Sequence, residues 1–260
     1  FFVRRKRGRI VFWLIGEARM RLAAMILLIV LIAVVFTNQL PAARTWTYWT
    51  LPLSGKVIVL DPGHGGPDGG AKSAEGVMEK DVTLRIVLYL RDYLQQGGAE
   101  VVLTREKDAD LASPGTQGHS RRKTEDLTAR AALVRKTNPD LFLSIHLNAI
   151  PEPQWFGPQT FYTLQHKDNP RLARLIQDEL RANVTETHRR AKEIHDIFVL
   201  EQSPVPTALV EAGFLSHPAE AARLADPDYQ KRVAAAIYRG ILRFFDGEAA
   251  PESSSAQGVL

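Results

Sequence analysis

The chain contains no cysteine. No disulfide can staple it, so a domain of this size must be held by its apolar core. Any metal it binds must be held by nitrogen and oxygen rather than sulfur. No G-x-S-x-G elbow occurs, which removes the usual sign of a serine hydrolase. The glycine-rich stretch Gly63-His64-Gly65-Gly66 lacks the lysine of a phosphate-binding loop, and it fits no G-x-G-x-x-G frame that leads straight into a helix. No internal repeat is present. A nucleic-acid footprint is missing as well, although the sequence pI is about 9.4. Residues 1–21 carry seven of the 33 Lys and Arg and one of the 29 acids, leaving 26 basic against 28 acidic residues elsewhere. The body of the protein is therefore slightly acidic, and no nucleic acid is expected as a partner.

What is present divides the 260 residues into unlike parts. Arg4, Arg5, Lys6, Arg7 and Arg9 form a basic cluster over 1–21. Residues 22–36 are wholly apolar, and no charge occurs from 22 to 43. That length suits the ~30 Å hydrocarbon core of a bilayer. Arg19 and Arg21 precede it, so the positive-inside rule predicts a cytoplasmic segment 1–21, a transmembrane signal anchor 22–43 and an extracytoplasmic remainder. A cleaved signal peptide is the rival reading, and the long stretch before the span favours an uncleaved anchor. A linker over 44–54 follows, whose Trp46, Tyr48 and Trp49 suit either a membrane interface or packing beneath the first strand. The catalytic domain is expected over 55–246, and the polar 247–260 reads as a disordered tail.

Within the domain, strand and helix patterns alternate. Strands are predicted over 56–60, 100–104, 141–145, 159–164, 197–200 and 207–210. Helices are predicted over 79–96, 127–136, 170–183 and 229–245, the first closed by Gly97-Gly98. His119 falls in a charged loop over 106–124. The expected fold class is α/β, a mostly parallel twisted sheet with helices on both faces, forming a single catalytic domain behind an N-terminal transmembrane helix.

Open sheets of this kind bind ligands outside the carboxyl ends of their strands. His64 lies just past the first strand, His146 ends the third, and Glu211 ends the last. Glu79 opens the helix after the glycine loop. Two histidines and a carboxylate form a common catalytic zinc set that leaves one position for water. His64, Glu79 and His146 are assigned as ligands, and Glu211 as general base and then general acid. Asp61 and Asp68 are alternatives to Glu79, as is Glu75. Asp61 fits better as a brace for the loop or for a ligand imidazole. Asn148 is a candidate to orient His146 or to bond substrate, and His195 to line the cleft. His119, His166, His188 and His217 read as surface positions. The loop glycines are read as clearing space for a bulky substrate.

These residues resemble a known family. Leu60-Asp61-Pro62-Gly63-His64-Gly65-Gly66, Glu79-Lys80, Ser144-Ile145-His146-Leu147-Asn148-Ala149 and Val210-Glu211-Ala212-Gly213-Phe214-Leu215-Ser216 are similar to motifs of the zinc-dependent N-acetylmuramoyl-L-alanine amidases of the amidase-3 type. The resemblance covers about 55–245. It implies zinc on His64, Glu79 and His146, catalytic Glu211, and peptidoglycan as substrate, cut between N-acetylmuramic acid and L-alanine. Residues 51–56, 110–113 and 146–151 further resemble the germination-specific CwlD group of endospore formers. That implies removal of stem peptides from spore cortex, toward muramic-δ-lactam. The short, charged stretch before the helix at 127 leaves no room for the blocking regulatory helix of some division amidases. Another zinc hydrolase of the wall, a peptidase or deacetylase, and an inactive wall-binding module are the competing functions.

Overall fold

The computed structural model describes residues 7–37, 51–152 and 154–251, with side chains of the first segment described at 16 and 18–32. The chain forms two compact units, 1–50 and 51–260. In the first, helix α1 spans Arg7–Thr37. Among the described residues no helix is long and apolar enough to cross a membrane. Most of the expected linker, including Trp46, Tyr48 and Trp49, lies outside the described residues, as does the tail beyond 251.

The second unit runs β1 (Val57–Pro62), α2 (Glu79–Gln96), β2 (Glu100–Leu103), α3 (His119–Thr137), β3 (Leu141–Asn148), β4 (Gln159–Tyr162), α4 (Asn169–Asn183), β5 (Lys192–Glu193), α5 (Phe198–Glu201), β6 (Thr207–Phe214), α6 (Pro218–Ala225) and α7 (Pro227–Phe245). The strands form one sheet in the order β2-β1-β3-β6-β4-β5. All neighbours are parallel except β4 and β6, which run antiparallel. The central strands are nearly continuous apolar runs because both their faces are covered. Ile58, Leu60, Leu143, Ile145 and Val210 pack on one side against α2, α4, α6 and α7. Val59, Phe142 and Leu209 pack on the other against Val134 of α3 and Val199 and Leu200 of α5. The sheet with helices on both faces is as expected.

Three local expectations need correction. Residues 197–200, expected as a strand, form the helical turn α5, in which the amides of Leu200 and Glu201 return to the Ile197 carbonyl. A four-residue apolar run does not distinguish a buried strand from a buried helical turn. Helix α3 begins at His119, inside the expected charged loop. Its first turns carry no apolar stripe and are held by charge instead: Arg122 pairs with Asp110, and Glu125 accepts from Ser113 and Thr116. Helix α6 was not expected. Its start is fixed by the His217 side chain, which accepts the Glu220 amide, and by Pro218 in the first turn.

One buried ion pair ties the sheet to α3. Arg130 Nη1 donates to Asp61 Oδ1 at 2.6 Å, and Arg130 Nε donates to Asp126 at 2.9 Å. Asp61 also accepts from Thr104 at 2.6 Å and Ser144 at 2.7 Å. Burial pushes the Asp61 carboxyl up, but Arg130, Thr104 and Ser144 outweigh it and hold it at about 2. A carboxylate depressed in the folded state contributes stability above its unfolded value and loses it as pH falls through the folded one. Replacing Arg130 with Met strands Asp61 without its partner. We expect Arg130→Met to lose about 3–5 kcal/mol in urea unfolding at neutral pH, and that loss to shrink at acid pH, where the unpaired, buried Asp61 takes up a proton. A wild-type midpoint at neutral pH, or a loss that does not shrink at acid pH, would refute this.

Candidate metal and catalytic site

The carboxyl edge of the sheet gathers residues from four elements. β1 ends at Pro62, and His64 follows in a left-handed conformation, φ 62°. A non-glycine residue held there is strained and needs its surroundings to keep it there. Arg130 supplies part of that restraint: Nη1 donates to the Pro62 carbonyl at 2.9 Å and Nη2 to the His64 carbonyl at 2.7 Å. Arg105, just past β2, supplies the rest through Nε to Pro62 O at 3.0 Å and Nη2 to Gly63 O at 2.9 Å. Burial and the neighbouring Arg130 lower the Arg105 guanidinium to about 10, so it stays charged at neutral pH.

Glu79 is the first residue of α2, where a carboxylate complements the helix dipole. Its side chain is buried. Oε2 accepts the Ala71 amide at 2.8 Å, and Oε1 accepts the Leu147 amide at 3.0 Å. The same Oε1 stands 3.0 Å from His146 Nδ1 and 3.2 Å from His64 Nε2. Burial opposes ionisation of Glu79, but the two imidazoles outweigh it and hold the carboxyl well below its ordinary range. His64 shifts the other way. Burial disfavours its cation, yet Glu79 and then Asp68 raise its pKa. Asp68 Oδ2 lies 3.0 Å from His64 Nδ1, close enough for charge attraction but off the line of a hydrogen bond. The two rings meet edge to face at 5.0 Å.

His64, Glu79 and His146 each offer one ligand atom, and all three atoms lie within 4.8 Å of one another. Ligands of a tetrahedral zinc at 2.0–2.1 Å stand about 3.3 Å apart, close to the two spacings measured from Glu79 Oε1. The donor set is nitrogen and oxygen only, and the backbone amides fix the carboxylate before any ion arrives. The residues therefore fit a zinc ion. Of the alternatives to Glu79, Asp61 is committed to Arg130, Thr104 and Ser144, and Glu75 is exposed outside the group. Asp61 braces the loop rather than an imidazole.

Glu211 sits directly opposite His146 in the β3–β6 register, so both side chains share one face of the sheet. Its Oε2 is buried and has no hydrogen-bond partner among the described residues. Burial pushes the Glu211 carboxyl up to about 7. His146 opposes the rise, and Glu79 adds to it. A carboxyl poised near neutrality beside two imidazoles can take and return a proton.

Other candidates fall elsewhere. The Asn148 side chain makes no hydrogen bond to His146, and its carbonyl accepts the Leu215 amide. His195 is 75 % exposed and faces Glu193 at 3.5 Å, so it does not join this group. His217 caps α6. Arg105 and Arg130 were missed by sequence reasoning. The local signals were the position of Arg105 just past a strand and the Asp126/Arg130 spacing of four on a helix.

The glycines serve a different purpose from the one expected. A Cβ on Gly63 would lie 2.3 Å from His146 Cε1, and one on Gly70 would lie 2.6 Å from Glu79 Oε2 and 2.7 Å from His64 Cδ2. At Gly65 it would meet the Ala109 carbonyl at 2.3 Å. The space Gly63 and Gly70 clear is filled by the side chains of His146, Glu79 and His64, and that at Gly65 by the Ala109 carbonyl.

An open α/β sheet whose carboxyl edge joins two imidazoles, an ionised carboxylate and a second carboxylate near neutrality has the donor set of a hydrolase. The family of N-acetylmuramoyl-L-alanine amidases, Amidase_3, matches residues 58–243, and the chain belongs to it. Its enzyme class is N-acetylmuramoyl-L-alanine amidase. It is 50% identical over 222 residues to the germination-specific N-acetylmuramoyl-L-alanine amidase of Bacillus subtilis, covering 85% of this chain and 93% of that one. It is 33% identical over 196 residues to the B. subtilis amidase LytC, covering 75% of this chain and 36% of LytC. The solved CwlD amidase of Clostridioides difficile, in complex with the GerS lipoprotein, superimposes with a TM-score of 0.73 at 37% identity, over 75% of this chain and 100% of that one.

The crowding at Gly63 is directly testable. Gly63→Ala must displace the His146 ring, so zinc affinity measured by competition with a chelating dye should fall about 10- to 100-fold, as for other changes that misplace a ligand. Wild-type affinity in the variant would overturn the packing role.

Proposed function

We propose that the protein is a zinc-dependent amidase that removes stem peptides from spore-cortex peptidoglycan by cutting between N-acetylmuramic acid and L-alanine, a step toward muramic-δ-lactam. The observation that carries the zinc site is the convergence of His64, Glu79 and His146 within 4.8 Å, with Glu211 facing His146 across the strand pair. The cortex role rests on the germination-specific relative, which matches across nearly its whole length.

His64, Glu79 and His146 would hold the zinc. When bound, zinc acts as a Lewis acid toward the scissile carbonyl and lowers the pKa of water. Glu211 then handles the proton. It accepts one from the attacking water through its unpartnered Oε2 and returns it to the departing alanine nitrogen, so the amine leaves neutral. Glu79 stays ionised throughout, because its two backbone donors and the imidazoles stabilise the anion. Arg105 and Arg130 keep the His64 loop fixed while this occurs.

Digestion of purified cortex should create free L-alanine amino termini. Free glucosamine amines or cleaved peptide bonds would instead point to a deacetylase or peptidase. Glu211→Gln should lower turnover by about 10²- to 10⁴-fold with zinc content unchanged. Turnover within threefold of wild type would remove Glu211 from this role.

We further propose that residues 22–43 anchor the enzyme, with the catalytic domain outside the cytoplasmic membrane. What supports this is the charge-free run, the arginines before it and the exposure of Leu22, Met25, Ile26, Leu27, Leu28 and Ile29 along α1. Deleting 1–43 should move the amidase from the membrane pellet to the soluble fraction. Retention in the pellet would exclude the anchor.

A further inference from the structure

The row of side chains that begins at the candidate site continues past it. His146 faces Glu211 across β3 and β6, and Glu211 faces Gln159 across β6 and β4. Paired residues point to the same side of a sheet, so Gln159 stands on the catalytic face one strand beyond Glu211. Its amide oxygen accepts from Arg189 Nη1 at 2.7 Å. Arg189 Nε donates to the Phe156 carbonyl at 2.9 Å. The guanidinium lies 4.6 Å from the ring of Phe214 and 5.4 Å from that of Trp155. It is thus pinned in plane by two neutral oxygens and two rings, half-buried, with Nη2 making no bond to any described residue. Burial lowers its pKa, and the charge of Glu220 opposes this. A guanidinium held rigidly, partly desolvated and in salt-bridge contact with no carboxylate among the described residues is well suited to bind one.

The chemistry of the substrate says where that carboxylate must be. The lactyl carboxyl of N-acetylmuramic acid is consumed in the scissile amide, so the sugar side is neutral there. Free carboxylates occur only on the peptide side. Adjacent strands are ~4.8 Å apart, which puts the backbone of Gln159 about 10 Å from that of His146. An extended peptide advances about 3.3–3.6 Å per residue. The second or third residue of the stem therefore reaches Arg189 when the amide lies at the zinc ligands.

We propose that Arg189, oriented by Gln159, binds a carboxylate on the second or third residue of the stem peptide and so fixes the direction in which the peptide leaves the scissile amide. This inference rests on the amidase reading above. It is tested with the zinc-loaded full chain and two soluble substrates: an N-acetylmuramoyl tripeptide beginning with L-alanine, with its carboxyls free, and the same molecule with all carboxyls amidated. Wild type should prefer the acid by about 10- to 100-fold in kcat/KM, the worth of a charged hydrogen bond, mainly through KM. Arg189→Met should cleave both substrates at the rate wild type cleaves the amide. Arg189→Lys keeps the charge and removes the fork that meets Gln159, and it should retain an intermediate preference. The Lys variant also preserves the test if the Met variant fails to fold. An equal rate on both substrates by wild type, or a wild-type preference in either variant, overturns the proposal while the amidase reading stands. Release of no L-alanine amine from either substrate by wild type overturns both.

Discussion

The salt bridge between Asp61 and Arg130 is the contact on which the site depends. Asp61 ends the buried run of β1, and its carboxylate collects Arg130, Thr104 and Ser144 from three other parts of the chain. Arg130 then extends to the carbonyls of Pro62 and His64. A buried pair of this kind adds little net stability over an apolar replacement, because desolvation offsets most of the attraction. Its consequence is positional. It holds the backbone after β1 in a path that places His64 at φ 62°, with its ring turned toward Glu79.

On that frame, two glutamates close in space acquire opposite character. Glu79 is met by two backbone amides and two imidazoles and is held firmly ionised. Glu211 is half-buried, its enclosed Oε2 meets no donor among the described residues, and its carboxyl rises to about 7. The division of labour proposed above, between holding a cation and moving a proton, needs like groups pushed apart in this way. The environment, not the residue type, makes the difference. Gly63, Gly65 and Gly70 belong to the same design, because a Cβ there would collide with the His146 ring, the Ala109 carbonyl and the Glu79 carboxylate respectively.

Much of the scaffold was legible locally. Apolar runs such as 57–60 and 141–145, bounded by turn residues, read as covered strands, and the stripe of Val82, Ile86, Leu90 and Leu94 reads as the inner face of a helix. Elements without a stripe were less readable. The first turns of α3 are stabilised by Asp110, Ser113 and Thr116, which lie before the helix, so no periodicity announces them. The turn Phe198–Glu201 is too short for its period to show.

By itself the sequence determined most of the strands and helices, the absence of thiol ligands, and the placement of His64, His146 and Glu211 toward the carboxyl edge of the sheet, because these follow from neighbours a few residues away, although β6 runs on past Glu211 to Phe214. The tertiary structure alone decided that β4 runs against β6, that Arg105 and Arg130 carry the His64 loop, that the glycines make room for ligands, and that Arg189 meets Gln159 on the catalytic face. Those contacts join residues tens of positions apart. Their energies depend on burial and direction, which exist only once the sheet has brought its carboxyl edge together.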